Sequence, residues 1–114
     1  MGKNKAKVKA AKARYEQEVY SYEKSVLGAF KEVNNAIVTV RKVKEIRASR
    51  MNLEASASNY LELAQLQYIN GVISYMDVLD AQRGLLDAQI GLNNAVLDEL
   101  LSVVYLYKAL GGGF

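Results

Sequence analysis

The chain has 114 residues, 51% of them hydrophobic, with no Cys, His, Trp or Pro and a formal net charge of +3. That length holds one domain at most. The missing Cys and His exclude disulfides, thiolate or imidazole zinc sites, and serine- or cysteine-type catalytic triads. No apolar run approaches the ~18 residues of a membrane-spanning helix, and no apolar core follows the lysine-rich start, so neither a transmembrane helix nor a signal peptide is expected within it.

The small net charge hides an asymmetry. Residues 1–50 hold 13 Lys/Arg against 5 Glu, a net of +8, whereas residues 51–114 hold 2 against 7, a net of −5. The excess is densest at Lys3, Lys5, Lys7, Lys9, Lys12 and Arg14. A nucleic-acid arm is one reading of such a run. Alanine spacing and the lack of interleaved aromatic residues argue instead for a solvated helix end, with phosphate or lipid head-group contact as the second choice. No nucleic-acid partner is therefore expected.

From residue 4 to about 69 there is no proline and a single glycine, Gly28. Tyr15, Val19, Tyr22, Val26, Phe30, Val33, Ile37 and Val40 recur at steps of four and three, the signature of an amphipathic helix with a heptad-like seam. The pattern loosens through Arg41–Arg50, where basic residues crowd, and resumes at Met51, Leu53, Tyr60, Leu61, Leu63, Ala64 and Tyr68. One helix over this span would be about 97 Å long at 1.5 Å per residue, which implies a coiled coil or long bundle. Asn70-Gly71 then reads as a helix stop, since glycine enters the left-handed region without steric cost. Ser74 is placed as an N-cap, with Asp77 completing an S-x-x-D capping box and Ile73 and Val78 forming a hydrophobic staple. A second helix is predicted from Tyr75 to about Leu110, roughly 54 Å, ended by Gly111-Gly112-Gly113 in the Gly-rich end of residues 111–114.

The expected fold is all-α: a long antiparallel coiled-coil hairpin with unequal arms, about 4–69 and 75–110, associating into a helical bundle or barrel. In a single hairpin domain, residues 70–74 form the tip turn. Folded back, the second arm covers the first only down to about residue 34, which orphans the seam from Tyr15 to Phe30. Leaving such side chains in water costs roughly 1.5–3 kcal/mol each, so the chain oligomerises, belongs to something larger, or both. Alanines at seven-residue spacing (Ala29 and Ala36, Ala48 and Ala55, Ala57 and Ala64, then Ala81, Ala88 and Ala95) adjoin stripes of Val78, Leu85, Leu92 and of Val96, Val103, Leu110. A helix built this way packs closely on more than one neighbour.

Asp77, Asp80, Arg83, Asp87, Asn94 and Asp98 share one side of the second helix, with Gly84, Gly91 and Ala95 along its edge. A solvated face accounts for this spacing. The pair Asp77 and Asp80 resembles carboxylates for acid–base work, but carboxylates at a helix start are ordinary caps, and neither nucleophile nor metal shell accompanies them. No enzymatic activity, cofactor or metal is expected. The eight tyrosines suit helix surfaces half-buried against neighbours.

A more specific signal lies in Ala64-Gln-Leu-Gln-Tyr-Ile-Asn-Gly-Val-Ile-Ser-Tyr-Met-Asp-Val-Leu-Asp-Ala-Gln-Arg-Gly-Leu-Leu-Asp-Ala-Gln. It resembles the second-repeat hairpin of the TolC-like outer-membrane efflux proteins. Ala10-Ala-Lys-Ala-Arg-Tyr-Glu-Gln followed by Ser25-Val-Leu-Gly-Ala-Phe-Lys-Glu-Val-Asn-Asn-Ala is similar to the start of their long descending helix. Leu106-Tyr-Lys-Ala-Leu-Gly-Gly-Gly-Phe resembles their C-terminal end, with Phe114 where many members have tryptophan. The resemblance implies the last quarter or so of a homotrimeric channel: a barrel in the outer membrane continued by a periplasmic tunnel of helices. Within it, residues 4–69 descend to the tip and 75–110 return. By the same resemblance Gly71, Val72, Ile73 and Ser74 form the tip where a periplasmic adaptor docks. Asp77, Asp80 and Arg83 line the closed entrance and Met76 adds an apolar constriction, while Ile73 stands where some members carry arginine. The implied function is passive export, with energy supplied through the adaptor by an inner-membrane pump. The alternative is a self-associating coiled-coil scaffold with no channel role.

Overall fold

The computed structural model describes residues 2–111 and divides the chain into two units, residues 1–35 and 36–114. Two helices make up the described residues: α1, Gly2–Ile69, and α2, Tyr75–Ala109. Both limits fall within two residues of those read from the sequence. Of the glycine-rich end, only Gly111 is described; the expectations for residues 112–114, including the match at Phe114, lie outside the described residues.

The first unit is helix throughout its described length. Every side chain from Gly2 to Glu32 is exposed and Val33 is half-buried. Tyr15, Tyr22 and Phe30 stand 68–71% exposed, so the early seam is uncovered, as the unequal arms require.

The second unit is an antiparallel hairpin, and its turn is held by backbone bonds. Gly71 has φ +74. Its N–H donates to the Tyr68 carbonyl at 3.0 Å, and the Val72 N–H donates to the Gln67 carbonyl at 2.8 Å. These are the two bonds of a Schellman motif, which satisfies carbonyls that the end of α1 would otherwise leave open. Ser74 occupies the N-cap of α2 with extended backbone, φ −81 and ψ 162, but makes no side-chain cap bond. The predicted capping box is therefore not formed. The Ser74 hydroxyl turns instead toward the Asp77 carboxylate at 3.5 Å, a long contact by hydrogen-bond standards. A backbone bond from Asp77 N–H to the Ser74 carbonyl, 3.1 Å, helps close the first turn. Ile73 does serve as a staple, packing against the cluster of Ala64, Val78 and Ala81.

Beyond the turn the arms run in register. The rings of Tyr68 and Tyr75 lie 5.3 Å apart between centroids, tilted by 57°. Further along, Arg50 rests on Gly91, its guanidinium nitrogen 3.4 Å from where a Cβ would sit. Farther still, Arg47 Nε lies 2.9 Å from Glu99 Oε2. On α2 the half-buried and buried side chains are Val78, Ala81, Leu85, Ala88, Leu92, Ala95, Glu99, Ser102, Leu106 and Ala109. Their steps alternate three and four without a break, which is a seven-residue coiled-coil repeat. On α1 the half-buried and buried set from residue 36 on is Ala36, Val40, Val43, Arg47, Glu54, Ala57, Ser58, Leu61, Ala64 and Gln67.

This seam differs from the one read in the sequence. Ala36 faces inward at 1% exposure while its bulkier neighbour Ile37 lies aside at 36%. Met51, Leu53, Tyr60 and Leu63 are likewise exposed. Arg41–Arg50 is no gap either, because Val43 and Arg47 carry the repeat through it. The physical reason is the close approach of two antiparallel helices, which favours small side chains at every second seam position and pushes bulky ones outward. The buried hydrophobic residues are accordingly alanines and two valines, Val40 and Val78, whereas Leu86, Leu97, Leu100 and Leu101 are all more than half exposed.

Charge enters the seam at one level. The Arg47 and Glu99 side chains are 43% and 19% exposed, and the two facing atoms are themselves shielded from solvent without the alignment of a hydrogen bond. Distance alone thus defines an ion contact here. Partial exposure of Arg47 keeps its net worth near the surface value of about 0–1 kcal/mol. One turn on, the Ser102 hydroxyl donates to the Glu99 carbonyl at 2.8 Å, which disposes of the one buried polar side chain among the described residues.

Candidate functional site

The tip and the first turns of α2 carry the residues singled out in the sequence. Gly71 and Val72 are exposed at the apex, Val72 at 68%. Ser74 is exposed, whereas Ile73 is half-buried because its side chain completes the hairpin's own core. Three of the four tip residues therefore present surface, and the fourth is structural. Met76 projects at 65% exposure despite its apolar side chain.

Asp77, Asp80, Arg83, Asp87, Asn94 and Asp98 are all exposed. They lie off the seam because the seven-residue repeat turns Val78, Ala81, Leu85 and Ala88 inward between them. Asp80 and Asp87 come together on the rim of an open groove of about 560 Å³, floored by Ala57, Ala81 and Gly84. Arg50 and Tyr60, from α1, form its far side. Asp77, Arg83 and Met76 do not line it. Arg50 and Tyr60 were missed by the sequence reading, since nothing local in either helix says which residues face each other across the hairpin.

The chemistry available here is electrostatic. Among the described residues no group of His, Cys, Asp or Glu is arranged to hold a metal ion. None of the described helices is long and apolar enough to cross a membrane. What the arrangement offers is negative charge on an exposed helix face, immediately behind a turn closed by backbone hydrogen bonds.

Comparison with known proteins was made on this geometry. A family model described as outer membrane efflux protein matches residues 1–112. The solvent efflux pump outer membrane protein SrpC of Pseudomonas putida is 40% identical over 113 residues, covering 99% of this chain and 24% of its own. The cation efflux system protein CusC of Escherichia coli K12 is 33% identical over 98% of this chain and 24% of its own. The probable outer membrane lipoprotein SilC of Salmonella typhimurium is 32% identical over 99% and 24%. This chain thus spans about a quarter of the length of the curated relatives it matches. No solved structure matches it significantly. These relatives are outer-membrane efflux components rather than enzymes, in line with the sequence reading. With a family match over nearly its whole length, and relatives aligned from end to end of it, the chain belongs to the outer membrane efflux protein family.

Proposed function

We propose that this segment is part of the periplasmic tunnel wall of an outer-membrane channel, the passive export duct of a tripartite efflux system. The observation that carries the reading is the inverted burial of the hairpin, with alanines inside and large apolar residues outside. On α2, Leu79, Leu86, Leu100 and Tyr107, with Ile90, Leu97 and Val104 beside them, form a second exposed apolar face. It lies roughly 150° round the helix from the seam at 100° per residue. A helix with two apolar faces so disposed is flanked by a neighbour on each side, which is the demand of a closed wall of helices rather than of a two-helix zipper. The acidic side chains lie on neither face, which leaves them free to line an entrance.

In this reading the intact protein is a homotrimer. The exposed tip at Gly71, Val72 and Ser74, with Ile73 bracing it from within, is where a periplasmic adaptor docks, and the adaptor links the duct to an inner-membrane pump. Met76, Asp77, Asp80 and Arg83 surround the entrance. The 114-residue chain by itself, with these faces uncovered, self-associates. Light scattering at micromolar concentration is expected to give a mass above the 12.6 kDa of one chain, and a stable folded monomer would contradict the surface accounting.

A segment exchange tests the function. Residues 1–112 are substituted for the matching stretch of the 40%-identical solvent efflux relative. The hybrid is expected to restore solvent resistance to cells lacking that channel. A hybrid that accumulates and assembles in the outer membrane without restoring resistance would favour the scaffold reading instead.

A further inference from the structure

We infer that the groove between the two arms is a binding site for an organic monocation with an aromatic body. Asp80 and Asp87 stand on its rim, with Gly84 between them and Tyr60 of α1 on the far side. Seven residues of helix separate the two carboxylates, about 10 Å along the axis, and neither is ion-paired among the described residues. Arg50 is the one basic residue lining the groove, and its guanidinium rests against Gly91, one turn beyond Asp87. Two carboxylates against one guanidinium leave the groove with an excess of negative charge.

Gly84 is the telling residue. Glycine inside a helix is destabilising relative to alanine, and the packing of the two arms does not ask for one here. A Cβ built on Gly84 meets no heavy atom within 4 Å, in contrast to Gly91, where the Arg50 guanidinium lies 3.4 Å away. Its missing side chain leaves a flat floor beside the methyl groups of Ala57 and Ala81. The space, about 560 Å³, falls within the roughly 300–1,000 Å³ of sites that hold drug-sized molecules. An apolar floor suits a planar body, the unpaired carboxylates suit a positive charge, and the Tyr60 ring offers a π face to it. An anion would meet two carboxylates, and among the described residues no ligand cluster is arranged for a bare metal ion. Both sides of the groove belong to this hairpin, and Asp80 and Asp87 lie off the apolar face of α2 that a neighbouring helix covers. That the groove stays open in the assembled protein rests on the tunnel-wall reading.

The measurement is binding of ethidium, a planar aromatic monocation, to the full-length protein, read by fluorescence polarisation beside its single-channel conductance. One dye per chain is expected. Asp80→Asn/Asp87→Asn should weaken binding roughly tenfold, and Tyr60→Leu about threefold. Gly84→Leu fills the floor through open space and should abolish binding without lowering the melting temperature. Asp98→Asn/Glu62→Gln removes the same charge away from the groove and should change affinity by no more than about twofold. Equal loss from that control pair would show a response to net charge only. Displacement of the dye by Mg²⁺ at matched ionic strength would show a plain counter-ion site, and equally tight binding of the neutral N-phenyl-1-naphthylamine would show that charge is not read. One dye per three chains would mark a site shared on the axis of a trimer. A Gly84→Cys thiol that a maleimide cannot reach in the assembled protein would show a neighbouring helix seated in the groove. Any of these results would overturn the proposal. Conductance by a protein that binds no dye would overturn the groove and leave the tunnel-wall reading intact, so the two fail separately.

Discussion

Ala81→Glu is expected to separate the two arms at the tip. Ala81 is 4% exposed, in one cluster with Ala64 and Val78, each at 3%. Leu61 and Ile73 pack on this cluster, and although Ala81 also meets the floor of the open groove that Arg50 borders, a carboxylate introduced at the seam is shut between the two helices. A charge only partly compensated in such a place costs on the order of 3 kcal/mol, and a core of alanines and two valines at about 0.8 kcal/mol per buried carbon has little with which to offset it. Spin labels at the exposed positions Gln65 and Gln82 read the distance between arms near the turn. That distance should lengthen and broaden in the variant, while a pair at Val38 and Val104, toward the other end of the hairpin, stays close to its original value. The contrasting substitution Gln82→Glu changes an exposed neighbour and should shift stability by no more than about 0.5 kcal/mol. An unchanged tip distance in Ala81→Glu would remove this cluster from the core.

Neutralising Asp77 and Asp80 addresses the entrance proposed above. In the full-length protein, Asp77→Asn/Asp80→Asn should reduce the preference for cations over anions in single-channel currents several-fold, roughly toward unity at low salt. The effect should fade as ionic strength rises and the Debye length shrinks from about 10 Å at 0.1 M. The structure makes this a clean experiment. Neither carboxylate is in an ion pair among the described residues, and Asp80 sits on a groove rim rather than in the seam. Asp77 gives up its favourable place in the first turn of α2, worth about 0.3–1 kcal/mol, so the hairpin should survive the double change. Selectivity that does not move would exclude both residues from the conducting entrance.

How much was legible depended on whether the deciding interaction is local. The corner was legible because Asn70-Gly71 and Ser74 act through their own neighbours: a left-handed glycine takes the Schellman bonds wherever the helix stops. Even so, the Ser74 hydroxyl had two partners within reach, the Asp77 carboxylate and the helix backbone, and composition could not say which it would take. The unequal arms were legible too, since they follow from the position of one turn in a chain otherwise made of helix formers. Ala81, Ala88 and Ala95, with the adjoining stripe of Val78, Leu85 and Leu92, gave six of the ten α2 seam positions, and Ser102, at the next seven-residue step, was passed over because it is polar. Nothing in the basic stretch Arg41–Arg50 signalled that Arg47 belongs to the seam, because its partner Glu99 sits on the other helix.

The amino-acid sequence by itself determined two long helices, a capped turn between them, a basic beginning and an acidic return, all of which arise from propensities and periods confined to a few residues. Which apolar stripe goes inside was decided only by tertiary structure. Hydrophobicity ranks leucine, tyrosine and methionine above alanine, and on that count Met51, Leu53, Tyr60 and Leu63 belonged in the seam. Two helices that approach closely exclude bulk, so Ala36, Ala64, Ala81, Ala88 and Ala95 took the interior and the larger side chains were turned outward. The same packing brought Asp80 and Asp87 of α2 into one groove with Arg50 and Tyr60 of α1, an arrangement that exists only once the register of the hairpin is set.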